Sequence, residues 1–533
     1  MSTPLVLTFD VGTQSTRALL TKPNGEFLDI EQVKYSEPYF SKEPGWAEQR
    51  PDFYYDRICE TAKNLCIRNE KFLKDVIAVT LTVIRDTVLC LDKDNKPLRD
   101  IILWLDKRQA NFDNPFPLYK KAIFKIAGMK DATEILYEAT ASNWIQQNEP
   151  EIWKNTEKFV VLPTYLNYKL TGELADSVAN IIGHIPFDYK KRKWKSDFDL
   201  TKCICYVENE KLCKLIKSGE VIGNITDEFS KKTGVPKGLP LIATGSDKGC
   251  ETLGLSVIHK NQASISLGTT ATIQFALNKY VEPQPFMPAY PAVPNDLYNP
   301  EIEIYRGFWL LSWFVREFGT QDALDAKEMG IMPEKLLDER IEKLPPGCEG
   351  LLLQPYWTPG IINPTSKGAI IGFADYHTRY HLYRAIIEGL AFELYHSMCN
   401  MQKRTKTKID EIYIGGGGAK SDIVCQICAD VFGLPVKRIQ THEACSIGAS
   451  MVAFIAEGVF KNYEDAIENM VHQKDVFTPS KDKHIIYMDL YKNAYRKIFP
   501  KLNPIYKKII QIVKRRDIQW VINHIKDLNQ NGS

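Results

Sequence analysis

The 533-residue sequence predicts an α/β protein built from two similar halves that face each other across a cleft. Three observations carry this. The chain is too long for one hydrophobic core, so two domains of roughly 200–250 residues are expected. Short β-rich runs bounded by turn signals are interleaved with helical patterns, which argues for layered strands and helices. One device, a strand, a Gly-Thr turn and a returning strand, also occurs twice, about 250 residues apart. It is first seen in LTFDVGTQSTRALL (Leu7–Leu20) and again in ASISLGTTATIQFAL (Ala263–Leu277).

In chain order, strands are expected at Leu5–Phe9, Arg17–Thr21, Phe27–Val33, Val76–Leu81 and Thr87–Leu91. Pro23-Asn24-Gly25 and Lys93-Asp94-Asn95 are the turn signals among them. Helical patterns cover Asp52–Leu65, Pro150–Asn155 and Leu162–Leu170, the last running into Thr171-Gly172-Glu173. The strand pattern restarts near Leu239–Thr244, where PLIATGSDKG reads strand, glycine turn, carboxylate. From Glu411, EIYIGGGGAKSDIVCQICADVFGLPV reads strand, four glycines, helix, Gly433 and another strand. The boundary falls near residues 250–260, giving an N-terminal domain 1–253, a second domain 254–480 and a basic helical extension 481–533. Residues 501–533 hold seven Lys/Arg against two Asp/Glu, with helical periodicity in Tyr506–Val513 and Ile518–Ile525. A solvated amphipathic helix pair packed on the body is expected there, in preference to a surface-binding element.

Composition narrows the function. Hydrophobic content of 44% and charged content of 25% are those of a globular protein. A net charge of +2 gives no reason to expect nucleic acid. Met1-Ser2-Thr3-Pro4 lacks a basic leader and Asp10 interrupts the apolar run behind it, so no secretory signal is read. No run approaches the roughly 20 apolar residues of a membrane span. The twelve cysteines are scattered, and the C-x-x-C pair Cys425–Cys428 lies in an apolar helical run, so reduced, buried thiols and a cytoplasmic protein are expected.

The chemistry-bearing residues sit at strand ends. Glycine lets backbone N–H groups approach a phosphate, and Thr and Ser hydroxyls add neutral donors. A carboxylate beside such a turn cannot face phosphate and would hold a cation through water instead, as Mg²⁺ allows. Asp10 fits that role, with Arg17 balancing charge; a polar hairpin turn explains the same residues. The Gly415–Gly418 run matches neither a Walker A loop nor G-x-G-x-x-G, and reads either as a tight strand–helix turn or as a seat for a purine or phosphate. Asp247 follows a strand and faces the cleft, as a general base for phosphoryl transfer to an alcohol would; its alternative is a cap for a helix beginning at Gly249. Arg85-Asp86 and Trp104-Leu105-Asp106 end strands of the first half and together suit a polyol.

These motifs together resemble the FGGY carbohydrate kinase family, from Leu5 to about Phe460. The resemblance rests on DVGTQSTR, PGWAEQRP (Pro44–Pro51), IRDTVLCLD, ILWLDKR, NYKLTGE, GSDKG, SLGTT, GAIIGFADYHTRYHLYRAIIEGLAF, the four-glycine segment and EACSIGAS. It implies two ribonuclease-H-like domains of the actin-like ATPase type. It further implies ATP and Mg²⁺, with Asp10 as the metal-associated aspartate. Gly12, Thr13, Gln14, Ser15 and Arg17 resemble the first phosphate loop, and Gly268 and Thr269 the second. Gly416, Gly417, Gly418, Ser421 and Asp422 resemble the adenosine loop, and Asp247 the catalytic base. Arg85, Asp86 and Trp104 lie where relatives contact substrate. Xylulose kinases usually carry Met-His where this chain has Ile84-Arg85, and Asn or Gln where it has Lys248. The segment Ala139–Trp153 is closer to pentulose kinases. The implied activity is ATP-dependent phosphorylation of a small sugar or polyol, a ketopentose first, with glycerol or autoinducer-2 phosphorylation, or a non-catalytic sensor, as alternatives. Small sugar and ATP are the expected partners, without nucleic acid or membrane, and homodimerisation is left open.

Overall fold

The computed structural model describes residues 3–530 apart from 114, 359, 361 and 362. Two large mixed sheets form its frame. The first contains β1 (Leu5–Val11), β2 (Ser15–Thr21), β3 (Phe27–Lys34), β4 (Val76–Val83), β5 (Val221–Asn224) and β6 (Pro240–Ile242), in the order β5-β6-β4-β1-β2-β3. The second contains β7 (Gln262–Leu267), β8 (Ala271–Phe275), β9 (Ala289–Pro291), β10 (Tyr298–Ile304), β11 (Glu411–Gly415), β12 (Val436–Ile439) and β13 (Gln473–Phe477), in the order β9-β10-β8-β7-β11-β12-β13.

The two sheets share one plan. In each, an antiparallel meander (β1-β2-β3, then β7-β8-β10) is continued on the side of its first strand by two parallel strands: β4 and β6, then β11 and β12. The repeated Gly-Thr device is the first hairpin of each meander. Every residue of β1 and of β7 is buried, because helices cover both faces of the sheets. That is why these strands read as continuous apolar runs instead of alternating ones.

Helices α1 (Phe53–Arg68) and α2 (Leu162–Thr171) belong to the first half. Between the sheets lie α3 (Asp247–Gly254) and, from far along the chain, α6 (Ala444–Ala456); α4 (Arg379–Thr405) and α5 (Asp422–Phe432) cover the second sheet. The crossing of α3 and α6 is close enough to need glycine on both helices. A Cβ on Gly254 would lie 1.9 Å from the Ala444 carbonyl oxygen, and one on Gly448 2.0 Å from that of Cys250. Helix α6 also packs on β1 and β4, where the Ser450 hydroxyl meets those of Thr8 and Thr21, each at 2.9 Å.

Strand ends differ from the sequence expectation where ladder pairing extends them. β1 runs on to Val11, which pairs with Thr16, so Asp10 lies inside the strand opposite Arg17. At the C-terminus one continuous helix, α7 (Arg496–Gln530), replaces the expected pair, with Pro500 and Pro504 inside it. Its packing on the body reaches Tyr506, while Ile505, Ile509, Ile512 and Val513 are exposed. The apolar face expected over Ile518–Ile525 lies outside the residues whose side chains are described. No described helix is long and apolar enough to cross a membrane.

Candidate active site

The N-terminal turn of α3 is where the expected site residues converge. Asp247 is its first residue, but the cap is Ser246, whose Oγ accepts from the Gly249 N–H at 3.3 Å. The capping alternative for Asp247 therefore does not hold, and its carboxylate needs no part in terminating the helix. Asp247 Oδ1 accepts from the Lys248 N–H at 2.8 Å and lies 3.8 Å from Arg85 Nε. Burial raises its pKa, against the lowering effect of Arg85 and Lys248. The preceding strand is fixed by the Thr244 hydroxyl, which donates to the Leu81 carbonyl at 2.5 Å and so ties β6 to β4.

Asp10 faces the same space. It is almost fully buried, with Arg17 Nη1 3.3 Å from its Oδ2, and Arg17 Nε lies 3.5 Å from Glu443 at the start of α6. Burial pushes the Asp10 carboxyl up to about 7; Arg17 opposes this, while Glu443, Asp247 and Glu251 add to it. Carboxylates outnumber cations here. Sequence inspection did not single out Glu443 or Glu251.

The first Gly-Thr turn closes with the Gly12 N–H donating to the Ser15 carbonyl at 3.0 Å. Tyr35 N–H donates to the Gln14 carbonyl at 2.9 Å, and the Trp104 indole N–H to Thr13 Oγ1 at 3.2 Å. Trp104 thus supports this turn rather than lying free in the cleft. The second turn repeats the closure: Gly268 N–H donates to the Thr270 carbonyl at 3.1 Å, and Phe308 N–H to the Gly268 carbonyl at 3.0 Å. Lys248 links α3 to it. Its ammonium donates to Ser266 Oγ at 2.6 Å and Glu251 Oε2 at 2.9 Å, pointing inward and not out to solvent. It would stand 3.9 Å from a Cβ on Gly268.

The four-glycine loop runs from β11 through a 3-10 turn (Gly417–Lys420) into α5. Gly416 has φ of 81°, and a side chain there would strike the Leu267 backbone; one on Gly418 would strike the Phe308 ring at 2.6 Å. A Cβ on Gly417 meets nothing within 4 Å, so that backbone faces open space. Ser421 caps α5 by accepting from the Val424 N–H. Asp422 accepts from Arg438 at 2.7 Å, and the same guanidinium pins the loop through the Ala419 carbonyl at 2.8 Å. Arg438 carried no sequence signal beyond its charge.

Arg85 and Asp86 are both engaged. Arg85 forms a bidentate pair with Glu301 on β10, at 2.8 and 3.0 Å, reaching across from the first half to the second. Its guanidinium carbon lies 5.5 Å from the centre of the Tyr290 ring. Asp86, at φ 51°, accepts from the His184 N–H at 2.8 Å and meets His184 Nδ1 at 2.6 Å. Burial would raise the Asp86 pKa, but His184 overrides it and holds the carboxyl low. A Cβ on Gly183 would lie 2.3 Å from Asp86 Oδ1, so glycine is required for this approach. Asp106 lies apart, buried against Arg108 at 2.8 Å in a charged cluster with Glu48.

Comparison with known proteins agrees with this architecture. The model of the FGGY family of carbohydrate kinases, N-terminal domain, matches residues 5–254, and that of its C-terminal domain residues 263–457. The chain is 27% identical over 517 residues to an uncharacterized sugar kinase, YgcE, of Escherichia coli, covering 96% of this chain and 97% of that protein. It is 27% identical over 526 residues to the xylulose kinase of Staphylococcus epidermidis, covering 95% of this chain and 99% of that one. Among solved structures, ligand-bound xylulose kinase from Lactobacillus acidophilus superposes with a TM-score of 0.80 at 22% identity, over 95% of this chain and all of that one. Gluconate kinase from the same organism gives 0.80 at 23% identity, with the same coverage.

Proposed function

We propose that this chain, which belongs to the FGGY family of carbohydrate kinases, transfers the terminal phosphoryl group of ATP to a hydroxyl of a small sugar, in the first instance a ketopentose. The observation that carries the reading is the meeting of Asp247, Asp10 and the second Gly-Thr turn around the first turn of α3. The similarity to xylulose kinases and the pentulose-kinase character of Ala139–Trp153 support the finer choice of substrate.

Asp247 accepts the proton of the acceptor hydroxyl as that oxygen bonds to phosphorus and the bond to the departing diphosphate breaks. Burial raises its pKa and so its basicity toward that proton, while Arg85 and Lys248 favour its ionised form. The Gly12–Ser15 and Gly268–Thr270 turns present backbone N–H groups and hydroxyls to phosphate oxygens. The open backbone at Gly417 leaves room for the adenosine. For the metal, the single buried carboxylate of Asp10, with Arg17 as the close cation and no cluster of three or more acid, histidine or cysteine ligands among the described residues, fits only a hard cation that keeps most of its water. Asp10 would hold Mg²⁺ through water, and the ion supplies neutralisation of charge on the phosphate oxygens.

The test is Asp247→Ala, assayed by coupled ADP release with D-xylulose. Turnover should fall by about 10²–10⁴-fold, the usual worth of a positioned base, while ATP binding by calorimetry persists. Unchanged turnover would exclude Asp247 from the proton transfer.

A further inference from the structure

The charged side chains around Asp247 come from both halves, and each cation among them already has an anionic partner. Arg85 is held bidentately by Glu301. His184 is paired with Asp86 at 2.6 Å, and Lys248 with Glu251 at 2.9 Å. The carboxylates are not all matched. Glu303 is two residues beyond Glu301 on β10, and so on the same face of the strand. Its side chain makes no hydrogen bond or ion pair among the described residues, although Arg85, Glu301, Lys248 and Asp247 all act on its charge. Burial and the nearby carboxylates push it up to about 7. Around it stand the phenols of Tyr290 and Tyr305. Arg306, three residues on, stacks over the Trp309 ring at 4.6 Å. This lining therefore offers hydrogen-bond acceptors and phenol hydroxyls; its Arg85 guanidinium and Lys248 ammonium are taken by Glu301 and Glu251, while Arg306 is held by ring stacking alone.

A sugar hydroxyl donates well to a carboxylate. A sugar acid, by contrast, brings a carboxylate that needs a free, preferably bidentate, cation and would otherwise meet like charge. We propose that the acceptor is an uncharged polyol or ketose, that aldonic acids are rejected, and that Glu303 is the second lobe's specificity-determining residue, accepting from a substrate hydroxyl. This rests on the kinase reading above and narrows its substrate class. It also separates this chain from the gluconate kinases that share its fold.

The test measures kcat/KM for ADP release with D-xylulose, D-ribulose, glycerol and D-gluconate, alongside calorimetric binding of D-xylulose and D-gluconate. At least one uncharged substrate should exceed D-gluconate by about 10²-fold or more, since like-charge juxtaposition is strongly disfavoured. Glu303→Gln should raise KM for the best uncharged substrate by about tenfold with kcat little changed, as a lost charged hydrogen bond does. Glu301→Gln releases the Arg85 guanidinium and should improve D-gluconate relative to that substrate by about tenfold or more, a gain that a purely structural role for Glu301 cannot give. D-Gluconate as the best substrate would overturn the proposal while leaving an Asp247-dependent kinase intact. Unchanged KM in a folded Glu303→Gln protein would remove Glu303 from recognition. Should either variant lose its far-UV signal, the wild-type binding ratio decides. No turnover with any of the four would overturn both readings.

Discussion

Lys248 illustrates what a single side chain does in this cleft. Its ammonium lies beside the Asp247 carboxylate and lowers that group's pKa, while burial, the larger effect, raises it. Asp247 must be ionised to act as a base, so kcat/KM should fall on the acid side at a pH above the ordinary aspartate value of 3.8. Lys248→Asn removes a positive charge, raises the Asp247 pKa further and should move that acid limb to higher pH. A pH profile of kcat/KM measures this directly; a limb that stays in place would mean that Lys248 serves only to satisfy Glu251 and Ser266. The positions of Asp247, Asp10 and the two Gly-Thr turns were legible in the sequence because they follow from local chain: a strand end, a tight turn, a carboxylate. The partners were not. Glu301 is 216 positions from Arg85, and the i, i+2 acids of Glu301-Ile302-Glu303 announce a strand face without saying what it opposes. Asp86 was read as free for substrate, and its His184 partner lies 98 positions away.

At the scale of elements, the α3–α6 crossing sets where Asp247 sits. Because the obstacle to a Cβ at Gly448 is the Cys250 backbone itself, no side-chain rotation can relieve it. Gly448→Ala should separate the helices and cost on the order of 1–3 kcal/mol, toward the upper end of overpacking penalties. The displaced α3 should lower kcat as well. Gly417→Ala provides the contrast, since its methyl meets nothing within 4 Å, and its thermal midpoint should match that of the parent. Equal midpoints for Gly448→Ala and the parent would show that the crossing can relax. The strands and helices expected in the first half lie within a few residues of the observed ones, because turn signals bound them, but helices such as Leu118–Ile126, Lys130–Ala139 and Asp227–Thr233 were not among those expected. The C-terminal region was harder. Its anchoring comes from Tyr487, Tyr491 and Tyr495, four residues apart, ahead of the basic stretch that drew attention in the sequence. These pack beside Phe392 of α4, and the phenols of Tyr487 and Tyr495 donate to Glu388 and Glu393, at 2.8 and 2.9 Å. A tyrosine at every fourth position is an ordinary helical stripe until the acids it meets are known.

For the whole molecule, the repeated hairpin makes the two halves look like independent units, yet one cluster of the interior belongs to both. Val6, Ala78 and Ile242 of the first sheet pack in a single core with Ile447, Val452 and Phe454 of α6 and with Met470. The turn at Gly25 presses against the Met470 backbone, and His472 bonds to the Asn24 carbonyl at 3.0 Å. The first sheet thus has one face covered by residues that follow the second sheet's main strands in sequence. An independent domain needs its own closed core, and cutting the chain at residue 253 would leave Val6, Ala78 and Ile242 exposed on a bare sheet face. Calorimetric unfolding should therefore give one transition, with calorimetric and van't Hoff enthalpies equal, despite the two-lobed architecture. A fragment of residues 1–253 should be aggregation-prone or only partly folded, and a chain carrying Phe454→Ala should lose about 3–5 kcal/mol from that single transition. Two resolved transitions, one of them insensitive to Phe454→Ala, would mean that α6 contributes to the second lobe alone and that the shared core adds no cooperativity.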